Sequence, residues 1–243
     1  MGETMAEKLL TRHNLAKEAV KAGDILEARI DGAMCHYHAS EPMHGLALEM
    51  GFKDGLPLQP LAAELVKKRS GALDNPDALC LPQGPLEYHL DPQPREVIHL
   101  PRRMLIVFES NYGLRTIYTD GRRLPPQGEP QPYWHGYSVG RWEGDTFVAD
   151  SNNFRGALTG QPGDGWLDGR GHPFTDALRL TERFRRVNFG RLDIDVTIDD
   201  PKAYTRPFTV RVEQEIVADG SEMIEFICHE NQMFLKLTGR APG

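Results

Sequence analysis

The chain has 243 residues, 40% hydrophobic and 26% charged, an ordinary balance for a globular protein large enough to bury a core. With 28 basic and 35 acidic residues its net charge is -7, which argues against a nucleic-acid surface or an anionic membrane as partner. No apolar run reaches the length of a membrane span, and the three cysteines (Cys35, Cys80, Cys228) are far apart with no CxxC pair, which predicts a cytoplasmic protein lacking a disulfide scaffold or thiolate zinc site.

From the N-terminus, Met1 to Arg12 mixes Glu3, Glu7, Lys8 and Arg12 with apolar residues and does not read as a signal peptide. Leucine and alanine at helical spacing predict an amphipathic helix over about 3–20, with a strand in 25–37 and a short helix over 58–68. Five prolines between Asp74 and Pro94 predict a wrapping loop. From Glu96 onward the pattern turns to strands. Residues 104–109 and 114–119 form one expected hairpin, and 137–142 and 146–150 a second with Gly144 in its turn. After a glycine-rich irregular stretch, 152–173, come four runs at regular spacing: 178–185, 191–198, 208–217 and 223–230.

The predicted fold is mainly β: an antiparallel up-and-down barrel or half-barrel of about eight or nine strands around a small-molecule pocket, with a two-sheet sandwich as rival. Residues 1–75 are expected to form a helical and irregular cover, and 76–243 the barrel, as one structural unit.

Side chains two apart share a strand face. In 191–199 the alternation is clean, with Leu192, Ile194, Val196 and Ile198 inward and aspartates outward. In 178–185, however, Glu182 shares the apolar face with Leu178, Leu180 and Phe184. A buried carboxylate must find a partner or shift its pKa upward, and a raised pKa suits a general base. Glu182 is therefore the preferred base, with His229 or His172 as proton donor and Arg115 or Tyr118 orienting an oxygen of the substrate. Trp134, His135, Tyr137, Phe184 and Glu230 complete the expected substrate-binding set, with His135 and Tyr137 on one strand face. His36 and His38, near His44, share a strand face and offer a metal alternative, although Glu41 follows too early for a cupin-like site. The stretch Gly160–Gly171 lacks the ending of a phosphate loop, and there is no nucleophile elbow.

The runs GYSVGRWEGDT (136–146), GHPFTDALRLTERFRR (171–186), VTIDDPKAYTRPFTV (196–210) and EFICHEN (225–231) resemble a large, mostly uncharacterised family of bacterial proteins, many of them secreted. The resemblance covers roughly residues 78–240 and implies a lipocalin-like, calycin-like strand pattern. It marks Trp142, Asp145, His172, Glu182, Arg183, Asp199, Tyr204, His229 and Glu230 as motif positions. Two departures stand out: the signal peptide of many relatives is not seen here, and Pro173-Phe174-Thr175 replaces their common Pro-His-Ser.

The leading expectation is an acid–base enzyme (lyase, isomerase or dehydratase) that needs no cofactor and acts on a hydrophobic or aromatic small molecule. The alternatives are a binding protein for a hydrophobic ligand and a metal-dependent enzyme built on His36 and His38. Neither nucleic acid nor membrane is expected as partner, and a homodimer is the assembly kept in view.

Overall fold

The computed structural model describes residues 55–69, 75–91, 93–110, 113–129, 131–158, 164–217 and 222–228. Its centre is one curled sheet of eight strands in sequence order: β1 (Arg95–Leu100), β2 (Arg103–Phe108), β3 (Leu114–Tyr118), β4 (Tyr137–Glu143), β5 (Thr146–Asn152), β6 (Arg179–Arg186), β7 (Arg191–Asp199) and β8 (Phe208–Glu215). Among the described residues the sheet stops at β1 and β8, giving a half-barrel rather than a closed barrel. Among the described residues no helix is long and apolar enough to cross a membrane.

The expected meander needs one correction. β3 and β4 run parallel, through the pairs Ile117↔Ser138 and Tyr118↔Val139, whereas every other neighbouring pair is antiparallel. A parallel join requires a crossover of a dozen or more residues, and the strap between Tyr118 and Tyr137 supplies it. A second correction concerns 223–230. Its described part, 222–228, holds no strand and is fixed instead by the Ile224 amide donating to Glu109 Oε2 (2.8 Å) and by a disulfide between Cys228 and Cys80. The spacing of 148 residues hid this pairing, which only the fold brings together.

Among the described residues two helices precede the strands. α1 (Pro60–Arg69) starts at a proline, which costs nothing at the first helical position, and ends in Lys67, Lys68 and Arg69, which complement the helix dipole. Ala62, Leu65 and Arg69 lie on one face and are buried. The proline-rich stretch contains a tight turn at Asp77–Leu79 and a single helical turn, α2 (Glu87–Leu90). It does not merely wrap. Leu86 enters the core cluster under β6–β8, with Ile194, Val196, Ile198, Val210 and Tyr204, while Tyr88 enters the cluster under β2, β3 and β5, with Ile106, Ile117 and Phe147. Each fully buried side chain of this size contributes roughly 1.5–3 kcal/mol. α2 therefore fills the concave side that the sequence assigned to a pocket.

Two glycines make that seating possible. A Cβ at Gly84 would lie 2.0 Å from the Trp166 carbonyl oxygen, so only glycine lets the stretch before α2 touch the 164–173 loop. Gly136, with φ +68°, turns the chain just before β4 and reverses the alternation there.

Candidate functional site

Two buried polar constellations flank α2. The first lies inside the half-barrel. Glu182, at the centre of β6 and opposite Ala149 and Val196, is fully buried. Arg115 on β3 donates Nη1 to its Oε1 (2.7 Å) and Nη2 to its Oε2. His89 on α2 contacts the same Oε1 through Nε2 at 2.6 Å, and Arg95 on β1 approaches His89 Nδ1 at 3.0 Å. A guanidinium only donates, so Nδ1 accepts and the imidazole proton sits on Nε2, facing the carboxylate. Arg115 also donates Nη2 to Ser151 Oγ (3.0 Å) and Nε to Ser138 Oγ (3.3 Å), with the two hydroxyls 2.7 Å apart.

The electrostatics follow from this saturation. Burial pushes the Glu182 carboxyl upward, but the Arg115 charge, its hydrogen bonds and the His89 hydrogen bond prevail and hold it at about 2. The carboxylate has found a partner, and the raised pKa expected of a base is not there. Burial lowers His89, against the pull of Glu182, and lowers Arg95 to about 10. Partly exposed His135 packs against Tyr88, ring centroids 5.0 Å apart, and burial with the Arg115 charge pushes it down to about 4.

The second constellation is the loop from Trp166 to Pro173, closed by a bridge between those two residues and by the Leu167 amide donating to the His172 carbonyl (2.7 Å). Fully buried Asp168 organises it. Oδ1 accepts from the amides of Arg170 (3.0 Å) and His172 (3.3 Å), and Oδ2 lies 2.6 Å from His172 Nδ1. The imidazole, 15% exposed, thus has Nδ1 committed, while its Nε2 has no hydrogen-bond partner among the described residues. Arg69 clamps the loop from α1, donating to the carbonyls of Gly165 (3.1 Å), Gly171 (3.2 Å) and Asp164 (2.8 Å) while lying over the Trp166 ring.

α2 docks on this loop by the amides of Leu86 and Glu87, which both donate to the Leu167 carbonyl at 3.2 Å. Glu87 is buried against Gly169, where a Cβ would come 3.0 Å from its Oε1. Burial, then the charges of Asp168 and Asp77, raise the Glu87 carboxyl to about 8, so it carries a proton at neutral pH. Two buried side-chain polar atoms lack a partner among the described residues, Glu87 Oε2 and Arg170 Nε, and both belong to this loop and its neighbour.

Of the residues chosen from sequence, Arg115 and Glu182 meet directly, Phe184 packs near the His89 ring (centroids 6.0 Å apart), and His135 borders Arg115. His172 belongs to the other constellation. Tyr118 and Tyr137 stack on the outer face at 5.2 Å, bound together by Arg122, which lies over the first ring and donates to the hydroxyl of the second. The expected shared face of His135 and Tyr137 fails because Gly136 turns the chain between them. Trp134 lies under Arg155. His229, Glu230, His36, His38 and His44 lie outside the described residues.

Sequence reasoning missed His89, Arg95, Glu87, Asp168 and Arg170. The first three sat in or beside a segment read as proline-rich loop. A usable signal was Asp168-Gly-Arg-Gly-His172, two ionisable residues four apart around glycines, which a tight loop brings face to face. Where a carboxylate orients an imidazole by Nδ1, the free Nε2 can take or give a proton. No protein-family model, curated protein or solved structure matches the chain, and the curled, mostly antiparallel half-barrel is compatible with the barrel-like strand pattern expected from the sequence.

Proposed function

We propose that this protein is an acid–base enzyme, a lyase, isomerase or dehydratase acting on a hydrophobic or aromatic small molecule, with its reacting groups on the 168–172 loop and α2. One observation carries the reading: the buried polar atoms left without partners among the described residues, Glu87 Oε2 and Arg170 Nε, belong to the 168–172 loop and to the helix docked on it, and the same loop carries the imidazole whose Nε2 is also unpaired. Native proteins rarely leave buried polar groups unsatisfied, and functional sites are a recognised reason when they do.

In this reading His172, oriented by Asp168, removes a proton from the substrate through Nε2. Glu87, protonated because it is buried beside Asp168, delivers a proton to the departing or receiving oxygen. Arg170 holds that oxygen. The Arg115–Glu182–His89–Arg95 chain positions α2, and so Glu87, without touching substrate. Membership of the motif-sharing bacterial family belongs to the same proposal, supported by the place of two motif residues, His172 in the loop and Glu182 in the anchor. The Cys80–Cys228 disulfide supports an oxidising compartment as workplace, in place of the cytoplasm the cysteine spacing suggested.

The test is a panel of aromatic and terpenoid alcohols, ketones and ethers incubated in deuterated water and read by mass spectrometry. Deuterium uptake or a product with the wild-type chain, lost in His172→Ala, is the expected result. Turnover that survives His172→Ala would sink the assignment, as would the absence of both exchange and product across the panel.

A further inference from the structure

On the outer face, the strap between β3 and β4 and the sheet bound two adjoining grooves of about 350 and 320 Å³, which share Leu124 and Asp150. The strap is tied down at several points. Asn152 Nδ2 donates to the Pro125 carbonyl (2.7 Å), and Asn153 Nδ2 donates to those of Pro126 (3.1 Å) and Glu129 (2.8 Å). The Gly128 amide donates to Asn153 Oδ1 (2.6 Å), and Gln127 reaches the Asp176 carbonyl. Asn153 adopts φ +56° to make these contacts, a conformation that asparagine tolerates better than most residues. The groove is thus preformed, which removes much of the ordering cost of binding.

Its chemistry has two halves. Leu124, Pro125 and Pro126 give the larger groove an apolar wall. The charged lining of the two grooves consists of Arg122, Arg123, Arg141 and Arg179 against Asp150 alone, a local excess of positive charge in a chain whose net charge is -7. Asp150 is already engaged by Arg141 and by the Thr181 hydroxyl (2.8 Å), and Arg122 by Asp120. The guanidinium groups of Arg123 and Arg179 make no hydrogen bond or ion pair with any described residue. A guanidinium with free donors beside an apolar wall suits a carboxylate with an apolar body, whose two oxygens match the fork of the arginine. The volume of the larger groove falls in the range of small-molecule sites.

We propose that this groove binds a small apolar monocarboxylate, its hydrocarbon or aryl body against Leu124, Pro125 and Pro126 and its carboxylate on Arg179, with Arg123 as second cation. The site is distinct from the 168–172 loop and does not depend on the enzymatic reading.

The experiment is calorimetric titration of the full chain with 4-phenylbutyrate and with its primary amide. The acid is expected to bind saturably, the amide about tenfold more weakly or worse, and the acid's affinity to fall as salt is added. Arg179→Glu and Arg123→Glu should each weaken the acid about tenfold or more, with Arg179→Lys intermediate. Both arginines are exposed and unpaired, so the unfolding midpoints should match the wild type and show that the fold is kept. His172→Ala should bind the acid as the wild type does. Equal binding of acid and amide, undiminished affinity in both charge-reversed variants, loss of binding in His172→Ala, or no saturable heat at millimolar acid would each overturn the proposal.

Discussion

His89 and Glu87 lie two residues apart on one turn of helix, both buried and both ionisable, and they meet opposite fates. His89 faces the half-barrel, where each ring nitrogen has a partner and the adjoining carboxylate is saturated by Arg115. Glu87 faces the 168–172 loop, where one carboxyl oxygen has no partner among the described residues and burial, reinforced by nearby carboxylates, keeps the group protonated. The first arrangement is an anchor: a charge network that leaves none of its buried side-chain atoms without a partner fixes geometry. In the proposed function the second keeps protons at positions where they can still move. Burial of an ionisable side chain therefore says little about function until its partners are counted.

The sharpest way to break this contrast is to cut the anchor. Glu182→Ala leaves the Arg115 guanidinium buried without its counter-charge and should lower the free energy of unfolding by about 3–5 kcal/mol. The paired change Arg115→Met with Glu182→Leu removes both charges and should recover most of that loss. Urea denaturation of the three chains decides it, and a loss below about 1 kcal/mol for Glu182→Ala would mean that the network anchors nothing. Next in size is the disulfide, which ties the 222–228 segment to the stretch leading into α2. Cys228→Ser should cost about 2–4 kcal/mol, measured the same way. On the other side of the contrast, His172→Ala should reduce turnover or proton exchange about 10²-fold or more while shifting the unfolding midpoint far less than Glu182→Ala does. If instead Glu182→Gln abolished exchange in a chain of unchanged stability, the two regions would have to swap roles.

Much of the sheet was legible in the sequence because strands betray themselves by alternation. The clean pattern of Leu192, Ile194, Val196 and Ile198 in β7, and the misplaced Glu182 in β6, are both found where the period of two puts them. Arg115 was legible for the same reason. The plug was not. Its residues pack into two clusters at once through a single helical turn, too short for any period to show, and five prolines nearby disguised it as loop. The 222–228 segment failed in the other direction. Ile224, Phe226 and Ile227 carry strand-like residue types, yet these side chains are exposed and the segment is held by Cys228 and one hydrogen bond to Glu109. The parallel join of β3 and β4 depends on where the strap crosses, which is a property of the assembled sheet. The Asp168–His172 contact was within reach, since only a turn separates the two, but a glycine-rich stretch invites a search for phosphate loops rather than for the carboxylate inside it.

The smallest expected effect tests the contrast by sign. Glu87 in the folded chain holds its proton up to about pH 8, against an ordinary value of 4.5. Between those values the folded state binds more protons than the unfolded one, so this group's contribution to stability is complete below about 4.5 and is lost as pH rises toward 8. Glu182, held at about 2, behaves in the opposite way: its contribution is complete above 4.5 and is lost as pH falls toward 2. His135, lowered to about 4 from 6.5, also favours the folded state at higher pH, with its contribution lost between 6.5 and 4. The wild-type curve is the sum of these slopes, so the informative quantity is a difference between two chains. Glu87→Gln keeps the shape and removes the titration. Relative to the wild type it should gain stability steadily from about pH 5 to 8, reaching about 1–3 kcal/mol, the scale of one buried polar group relieved of an unfavourable charge. Urea unfolding at half-unit pH steps measures that difference. A flat difference would place the Glu87 carboxylate among solvated groups, and the proton that the proposed chemistry needs would no longer be stored there.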